Sequence, residues 1–375
     1  HADPPPPPPP PPSPHPPPPP HTTPPSHPPA PDAAQLAPFD PRATNERTTR
    51  DAVIEDLAAW QAGRIPEYGR LERRGAWPPA LPTDVFRFRR IAGHGEEQDI
   101  RSFRSSGTTS SERSVHVYRD LGLYDFAARV AARHMLFPDV ERMRLLILAP
   151  HEDDAPSSSL EYMLARFADW FASECTWAWH NGALDIEMLR DALRDAETSG
   201  EPVALLGTSF AFVHAEDGLS DRRFQLPAGS RVMQTGGYKG RSREVDPELL
   251  LDAISARYGV APSRVINEFG ATELSSQMYE TTLREELEGA VGPRRLWVPP
   301  WVRATPVDPE SLLPVDGDSV GILRIDDTAN LDSVCCIQTA DLARRLDEGI
   351  VVLGRARGAT PRGCSLAADQ ALGTR

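Results

Sequence analysis

The spacing of apolar positions changes several times along the chain, and each change marks an element. Over residues 51–62 they fall at Val53, Ile54, Leu57, Ala58 and Trp60, a spacing that predicts a helix. Val85-Phe86-Arg87-Phe88 alternates and reads as a short strand, with Pro78, Pro79 and Pro82 punctuating its approach. Residues 118–137 return to helical spacing through Leu121, Tyr124, Ala128, Val130 and Met135. Residues 144–149 are a continuous apolar run closed by Pro150, the mark of a buried strand. Residues 160–179 read as one helix with an aromatic stripe of Tyr162, Phe167, Trp170, Phe171, Trp177 and Trp179. Such a stripe is ordinarily core, with the wall of an acyl or aryl pocket as the alternative. Helices at 185–196 and 248–258, the second capped by Asp246 with Pro247 in its first turn, alternate with strands at 203–207, 232–235 and 264–269. From about residue 320 strands dominate, at 321–326, 333–339 and 349–353. Strand–helix alternation followed by a β-rich end predicts an α/β protein.

Composition changes this picture mainly at the start. Of the 40 prolines, 22 fall within residues 1–41. Residues 1–38 are therefore expected as a disordered, extended polyproline tail with nothing to bury, and folded structure is expected from about Pro38. His1, His15, His21 and His27 lie in that tail, where metal binding is the minority reading. The net charge of −14 argues against a nucleic-acid partner held by phosphate contacts. The basic residues are almost all arginine, and Lys239 is the single lysine. Cys175, Cys335, Cys336 and Cys364 have no zinc-ligand spacing and read as reduced thiols of a cytoplasmic protein. No apolar run reaches the ~18–20 residues of a membrane span, and no basic-then-apolar signal pattern is present.

The candidate chemistry centres on Ser105-Ser106-Gly107-Thr108-Thr109-Ser110-Ser111. Gly107 can adopt angles closed to other residues, so successive N–H groups can turn toward one anion. The hydroxyls of Ser106, Thr108 and Thr109 and the charge of Arg113 add donors, a combination suited to nucleotide phosphates. By itself such a run is more often a surface loop, and it lacks the ending of a Walker loop. Downstream, Asn267-Glu268-Phe269-Gly270-Ala271-Thr272-Glu273 leaves a strand and turns at glycine. Phe269 offers a stacking ring and Glu273 a carboxylate for Mg²⁺. Gln338-Thr339-Ala340-Asp341 sets an acid just after a strand, where it can accept hydrogen bonds from ribose hydroxyls. Gly354-Arg355 follows the next strand. Thr235-Gly236-Gly237-Tyr238-Lys239-Gly240 lets backbone approach a ligand beside a point charge. Gly363 and Arg362 flank Cys364, leaving its backbone open and favouring the thiolate, although a lone cysteine is more often a small buried hydrophobe. His116, His134, His151, His180 and His214 have no metal or triad spacing and read as structural.

In order and spacing these segments resemble the adenylate-forming superfamily. More narrowly, Phe103-Arg104-Ser105-Ser106-Gly107-Thr108-Thr109-Ser110, Gly236-Gly237-Tyr238-Lys239-Gly240 and Arg362-Gly363-Cys364-Ser365 resemble the acyl-protein synthetase family. Its namesake is the synthetase subunit of the bacterial bioluminescence fatty-acid reductase complex. The resemblance implies an adenylate-forming domain over residues 39–354, with a β-rich end, and a truncated C-terminal segment over 355–375. It implies ATP held by Ser105, Ser106, Gly107, Thr108, Thr109, Arg113, Phe269, Gly270, Thr272, Asp341 and Arg355, with Mg²⁺ on Glu273. Lys239 and Glu273 would serve adenylation of a carboxylic acid, expected to be a fatty acid, and Cys364 would carry the acyl group as a thioester. The acceptor would be a partner protein, an acyl-CoA-reductase type or a carrier. The chain departs from the superfamily pattern at Ser110, Glu112, Arg113 and Ala340, and no lysine follows Arg355. An acyl- or aryl-CoA ligase and a non-catalytic scaffold with a vestigial nucleotide site are the alternatives.

Overall fold

The apolar runs become adjacent rows of one sheet. A computed structural model describes residues 44–71, 77–105, 113–220, 222–236, 245–347, 349–356 and 362–373. The expected tail over 1–38 lies outside them. In chain order the strands are β1 Leu81–Pro82, β2 Arg101–Arg104, β3 Val115–Tyr118, β4 Met143–Leu148, β5 Ala172–Trp177, β6 Trp179–His180, β7 Ala183–Leu184 and β8 Val203–Thr208. They continue with β9 Arg231–Thr235, β10 Val265–Phe269, β11 Met278–Glu280, β12 Leu296–Trp297, β13 Val302–Val307, β14 Gly321–Asp327, β15 Cys336–Leu346 and β16 Gly349–Arg355. The helices are α1 Thr44–Ala62, α2 Pro66–Gly69, α3 Gly122–Met135, α4 Ser159–Phe171, α5 Ile186–Ser199, α6 Ser209–Gly218, α7 Pro247–Tyr258, α8 Thr282–Leu287 and α9 Arg362–Leu372.

The main sheet runs β13-β14-β15-β16-β12-β11-β10-β9-β8-β4-β5, and β1 pairs in parallel with β15 off this path. From β5 to β10 all pairings are parallel; from β10–β11 onward they are antiparallel. Parallel strands covered on both faces need apolar residues at nearly every position, which explains the unbroken run at 145–149. Successive side chains point to opposite faces. Leu145 and Ile147 enter a core shared with α3 and α4, while Leu146 and Leu148 enter one shared with α5, α6 and α7. A further core packs Ile54 and Ala58 of α1 and Ala371 of α9 against Leu323, Ile325 and Ile337. At the start of β9, Arg231 is fully buried and grips Asp139 through both guanidinium nitrogens, at 2.6 and 2.9 Å, while also donating to the carbonyls of Leu136 and Gly229. No helix among the described residues is long and apolar enough to cross a membrane.

Asp246 caps α7 as expected, accepting from the Glu248 N–H at 2.9 Å, and Gly259 ends the helix in the left-handed region at φ +64°. Elsewhere the structure differs from the pattern reading. The helix expected over 160–179 ends at Phe171, and the chain passes straight into β5. Because β5 is the sheet's edge strand, Ser173 and Glu174 face solvent and no continuous apolar run announces it. Residues 83–87 form a 3₁₀ turn instead of the strand expected at 85–88: Val85 and Phe86 are both buried, whereas alternation would expose one of them. Helix α6 escapes the pattern because its apolar residues crowd Phe210 to Val213 and polar ones follow from His214, which leaves no stripe. Strand β15 runs on to Leu346 and β16 to Arg355, so Asp341 and Arg355 lie within strands and not beyond them.

Candidate active site

Strands β8, β9 and β10 end side by side at Thr208, Thr235 and Phe269, and beyond their carboxyl ends opens a cleft of about 220 Å³. Ligands in open α/β sheets bind at this edge, because the strand-to-helix turns can vary there without disturbing the core. Thr208 and Phe210 line it from the β8–α6 junction, and Thr235 and Gly236 from the end of β9. Glu268, Gly270, Ala271, Thr272 and Gln277 line it from the β10–β11 connection, and Tyr124, Leu160, Met163 and Arg104 from the opposite wall.

The antiparallel hairpin β2–β3 brackets the serine- and threonine-rich loop. Its base is closed where the Ser105 N–H donates to the Ser114 carbonyl at 3.0 Å and the Ser114 N–H donates to Ser105 Oγ at 3.1 Å. The Arg104 N–H donates to the Ser157 carbonyl at 2.7 Å, which ties the loop's entry to the segment leading into α4. Arg113 is exposed, while Ser106, Gly107, Thr108 and Thr109 lie outside the described residues. The lysine segment is entered at Gly236, held at φ +70°, whose carbonyl accepts from Ser209 Oγ at 3.0 Å. Lys239 itself also lies outside the described residues.

The turn after β10 is clamped from beneath. His116 Nδ1–H donates to the Thr272 carbonyl at 2.9 Å, with Tyr118 Oη 3.0 Å away. Burial pushes the His116 pKa down to about 4, the Thr272 bond opposing it, so the ring is neutral at pH 7. Asn330 Nδ2 donates to the Glu273 carbonyl at 2.9 Å, and Asp327 accepts from the Ser275 N–H at 3.0 Å and Ser276 Oγ at 2.8 Å. Glu273 is buried beside cleft-lining Thr272. Glu268, one residue before the phenylalanine, is also buried and takes a hydrogen bond from Thr235 Oγ1. Burial raises its pKa to about 7 against that hydrogen bond. A Cβ on Gly270 would stand 2.7 Å from Glu268 Oε1, so a larger residue there would displace that carboxylate.

The structure thus brings together the edges of three predicted segments: Arg104, Gly236, and Gly270 with Thr272. Other predicted residues stand apart from the cleft lining. Asp341 and Arg355 are register partners on β15 and β16, with Arg355 Nε 3.6 Å from Asp341 Oδ1. Phe269 packs against the core formed with α1 and α9. Cys364 falls in α9, whose side chains at 362–364 and 366 lie outside the described residues. The other thiols are poor nucleophiles: burial pushes Cys175 up to about 11 and Cys336 well above its ordinary value, and Cys335 is fully buried. Glu268, Thr235, Gln277 and Phe210 went unnoticed in the sequence as site residues. The only signal for Glu268 was an acid inside a strand that opens with Val265 and Ile266.

A parallel sheet continued by antiparallel strands, with its cleft at the carboxyl ends of the parallel ones, is the fold of the adenylate-forming enzymes. Crystal structures of 2-hydroxyisobutyryl-CoA ligase superpose with a TM-score of 0.60 for its postadenylation state with 2-HIB-AMP (14% identity, 84% of this chain and 68% of that one). For an open conformation the TM-score is 0.58 (13% identity, 87% and 83%). Within this class the chain belongs to the family described as "Acyl-protein synthetase, LuxE", whose model matches residues 76–373. Among its relatives is the long-chain-fatty-acid–luciferin-component ligase of Vibrio harveyi, 22% identical over 314 residues (78% of each chain). The ligase of the same name from Aliivibrio fischeri is 23% identical over 278 residues, covering 70% of this chain and 68% of its own.

Proposed function

We propose that the chain is an ATP-dependent ligase that activates a fatty carboxylic acid as its acyl-adenylate and passes the acyl group to a protein thiol. The observation that carries this reading is the convergence of Arg104, Gly236 and the Gly270–Thr272 turn on one cleft at the carboxyl edge of the sheet. A carboxylate oxygen attacks the α-phosphorus of ATP, pyrophosphate leaves, and negative charge grows on the non-bridging oxygens. The N–H groups of the 105–113 loop and the Lys239 ammonium stabilise that charge. Glu273, on a turn fixed by His116 and Asn330, would hold Mg²⁺ through its carboxylate. When bound, the ion neutralises phosphate charge. The Cys364 thiolate then attacks the acyl carbonyl, forming a thioester with AMP as leaving group, and the acyl group moves on to a partner protein.

Carboxylate-dependent exchange of labelled pyrophosphate into ATP tests the first half-reaction. Lys239→Ala is expected to lower it ~10²- to 10³-fold with the circular-dichroism spectrum unchanged. Near-normal exchange would return Lys239 to a solvated turn.

A further inference from the structure

The strand that leaves the serine- and threonine-rich loop is fastened at successive positions to the turn after β10. His116 and Tyr118 stand two apart on β3, so their side chains leave the strand on one face. Both reach the same turn, each 156 residues further along the chain. The His116 ring meets the Thr272 carbonyl; Tyr118 Oη donates to the Leu274 carbonyl at 3.4 Å and lies 3.2 Å from Ser275 Oγ. The two rings lie against each other, with centroids 4.3 Å apart. Arg119, the next residue, binds Asp332 through its N–H at 2.9 Å and through Nε at 2.7 Å. Ser275 Oγ donates to Asn330 Oδ1 at 2.9 Å, and the same side chain holds the Glu273 carbonyl. β3, the turn and the 330–332 segment are therefore one hydrogen-bonded block. His116 is fully buried, and among the described residues its Nε2 has no hydrogen-bond partner. A buried ring nitrogen without a partner costs stability, so an apolar side chain would serve packing better at this position. What the imidazole adds is one bond, from Nδ1 to the backbone of Thr272. Ser114, two residues before His116, closes the base of the loop with Ser105, and Thr272 lines the cleft. A short stretch of strand and that one bond are all that separate them.

We propose that His116, backed by Tyr118, is a positioning residue that ties the base of the β2–β3 hairpin to the Thr272–Ser275 turn, so that the two hold one spacing. The proposal rests on reading these two segments as the two halves of the nucleotide site. Attack in line at phosphorus needs both halves aligned, whereas binding in the ground state can be met by each half separately. Cutting the tie therefore acts on the rate of the chemical step more than on affinity.

The test uses three variants of the full chain, with melting curves to check that each folds. His116→Phe keeps a buried ring and loses the donor, and His116→Asn sets an amide nitrogen near the place of Nδ1. Tyr118→Phe removes only a hydroxyl and carries the same measurements where His116→Phe does not fold. In acid-dependent pyrophosphate exchange, His116→Phe is expected to lower kcat about 10²-fold while KM for ATP moves less than about threefold. His116→Asn is expected to recover about tenfold or more of that loss, and Tyr118→Phe to show the same split with a smaller one. Hydrogen exchange of the unliganded chain reads the tie without any chemistry. In His116→Phe the Leu274 and Ser275 amides are expected to exchange about tenfold faster than in the parent, one hydrogen bond's worth, while those of β3 keep their rates. Turn amides that exchange as in the parent, a loss confined to KM with kcat unchanged, or no recovery in His116→Asn would overturn the proposal. A parent that exchanges no pyrophosphate with any acid sinks the ligase reading, and the amide rates then decide the tie by themselves.

Discussion

Glu268→Gln removes a proton-binding group while keeping shape and hydrogen bonding, which makes its effect calculable. Burial moves the carboxyl from its ordinary 4.5 to about 7. A group whose folded pKa is raised binds protons more tightly when folded, so the folded state holds more protons than the unfolded chain between those values. The stability it contributes is full below about pH 4.5 and falls as pH rises toward 7. At 1.36 kcal/mol for each pH unit between the two values, the loss amounts to about 3 kcal/mol. The assay is urea denaturation of parent and variant from pH 4.5 to 8, read as the difference between them. His116 acts in the opposite sense: burial pushes it down to about 4, so stability is lost as pH falls below 6.5. It is present in both proteins and cancels. The parent should lose about 3 kcal/mol relative to the variant across the range, nearly all of it below pH 7.5. A difference independent of pH would mean that Glu268 is ionised throughout, held by a cation or by water, and the argument from burial would be wrong.

Cys364→Ser is expected to leave pyrophosphate exchange intact and abolish hydroxylamine-labile acyl label on the protein, whereas Ala at Cys175, Cys335 or Cys336 should leave labelling unchanged. Retained label in Cys364→Ser would move the transfer step to another thiol. Asp139→Ala strands a fully buried guanidinium and should lower stability by about 3 kcal/mol in denaturant titration, with Arg231→Met in the same chain recovering part of it. An unchanged midpoint would mean that the Leu136 and Gly229 carbonyls suffice for Arg231.

The sequence made the parallel half of the sheet legible, because runs such as 145–149 and 203–207 are buried on both faces and leave no room for polar positions. It hid β5, where Glu174 faces water, and α6, whose apolar residues are bunched in its first half instead of spaced along one face. Of the candidate site, the turn at Gly236 was readable, since its left-handed backbone angle restricts residue choice. Asp341 was read as lying beyond a strand because Arg344 and Arg345 interrupt the apolar pattern of what is a single long β15, and Arg355 because the exposed end of β16 carries no apolar signal. Glu268 and Gln277 were illegible as a pair. Their meeting depends on the β10–β11 register, which Ser275 and Ser276 help fix through Asp327, a contact across 51 and more residues.

That register also bears on how such an enzyme can be re-tuned. Glu268 and Phe269 are neighbours in sequence but point opposite ways, one to the cleft and the other into the core with α1 and α9. The turn joining β10 to β11 is tied down at both ends, so adding or removing a residue would flip every side chain beyond it to the wrong face. Length is therefore closed as a route to reshaping the cleft, and substitution in place is the route left open. Changing the shape of the cleft here means exchanging Glu268 or Gln277 one for one, with Phe269 and the loop's residue count left untouched.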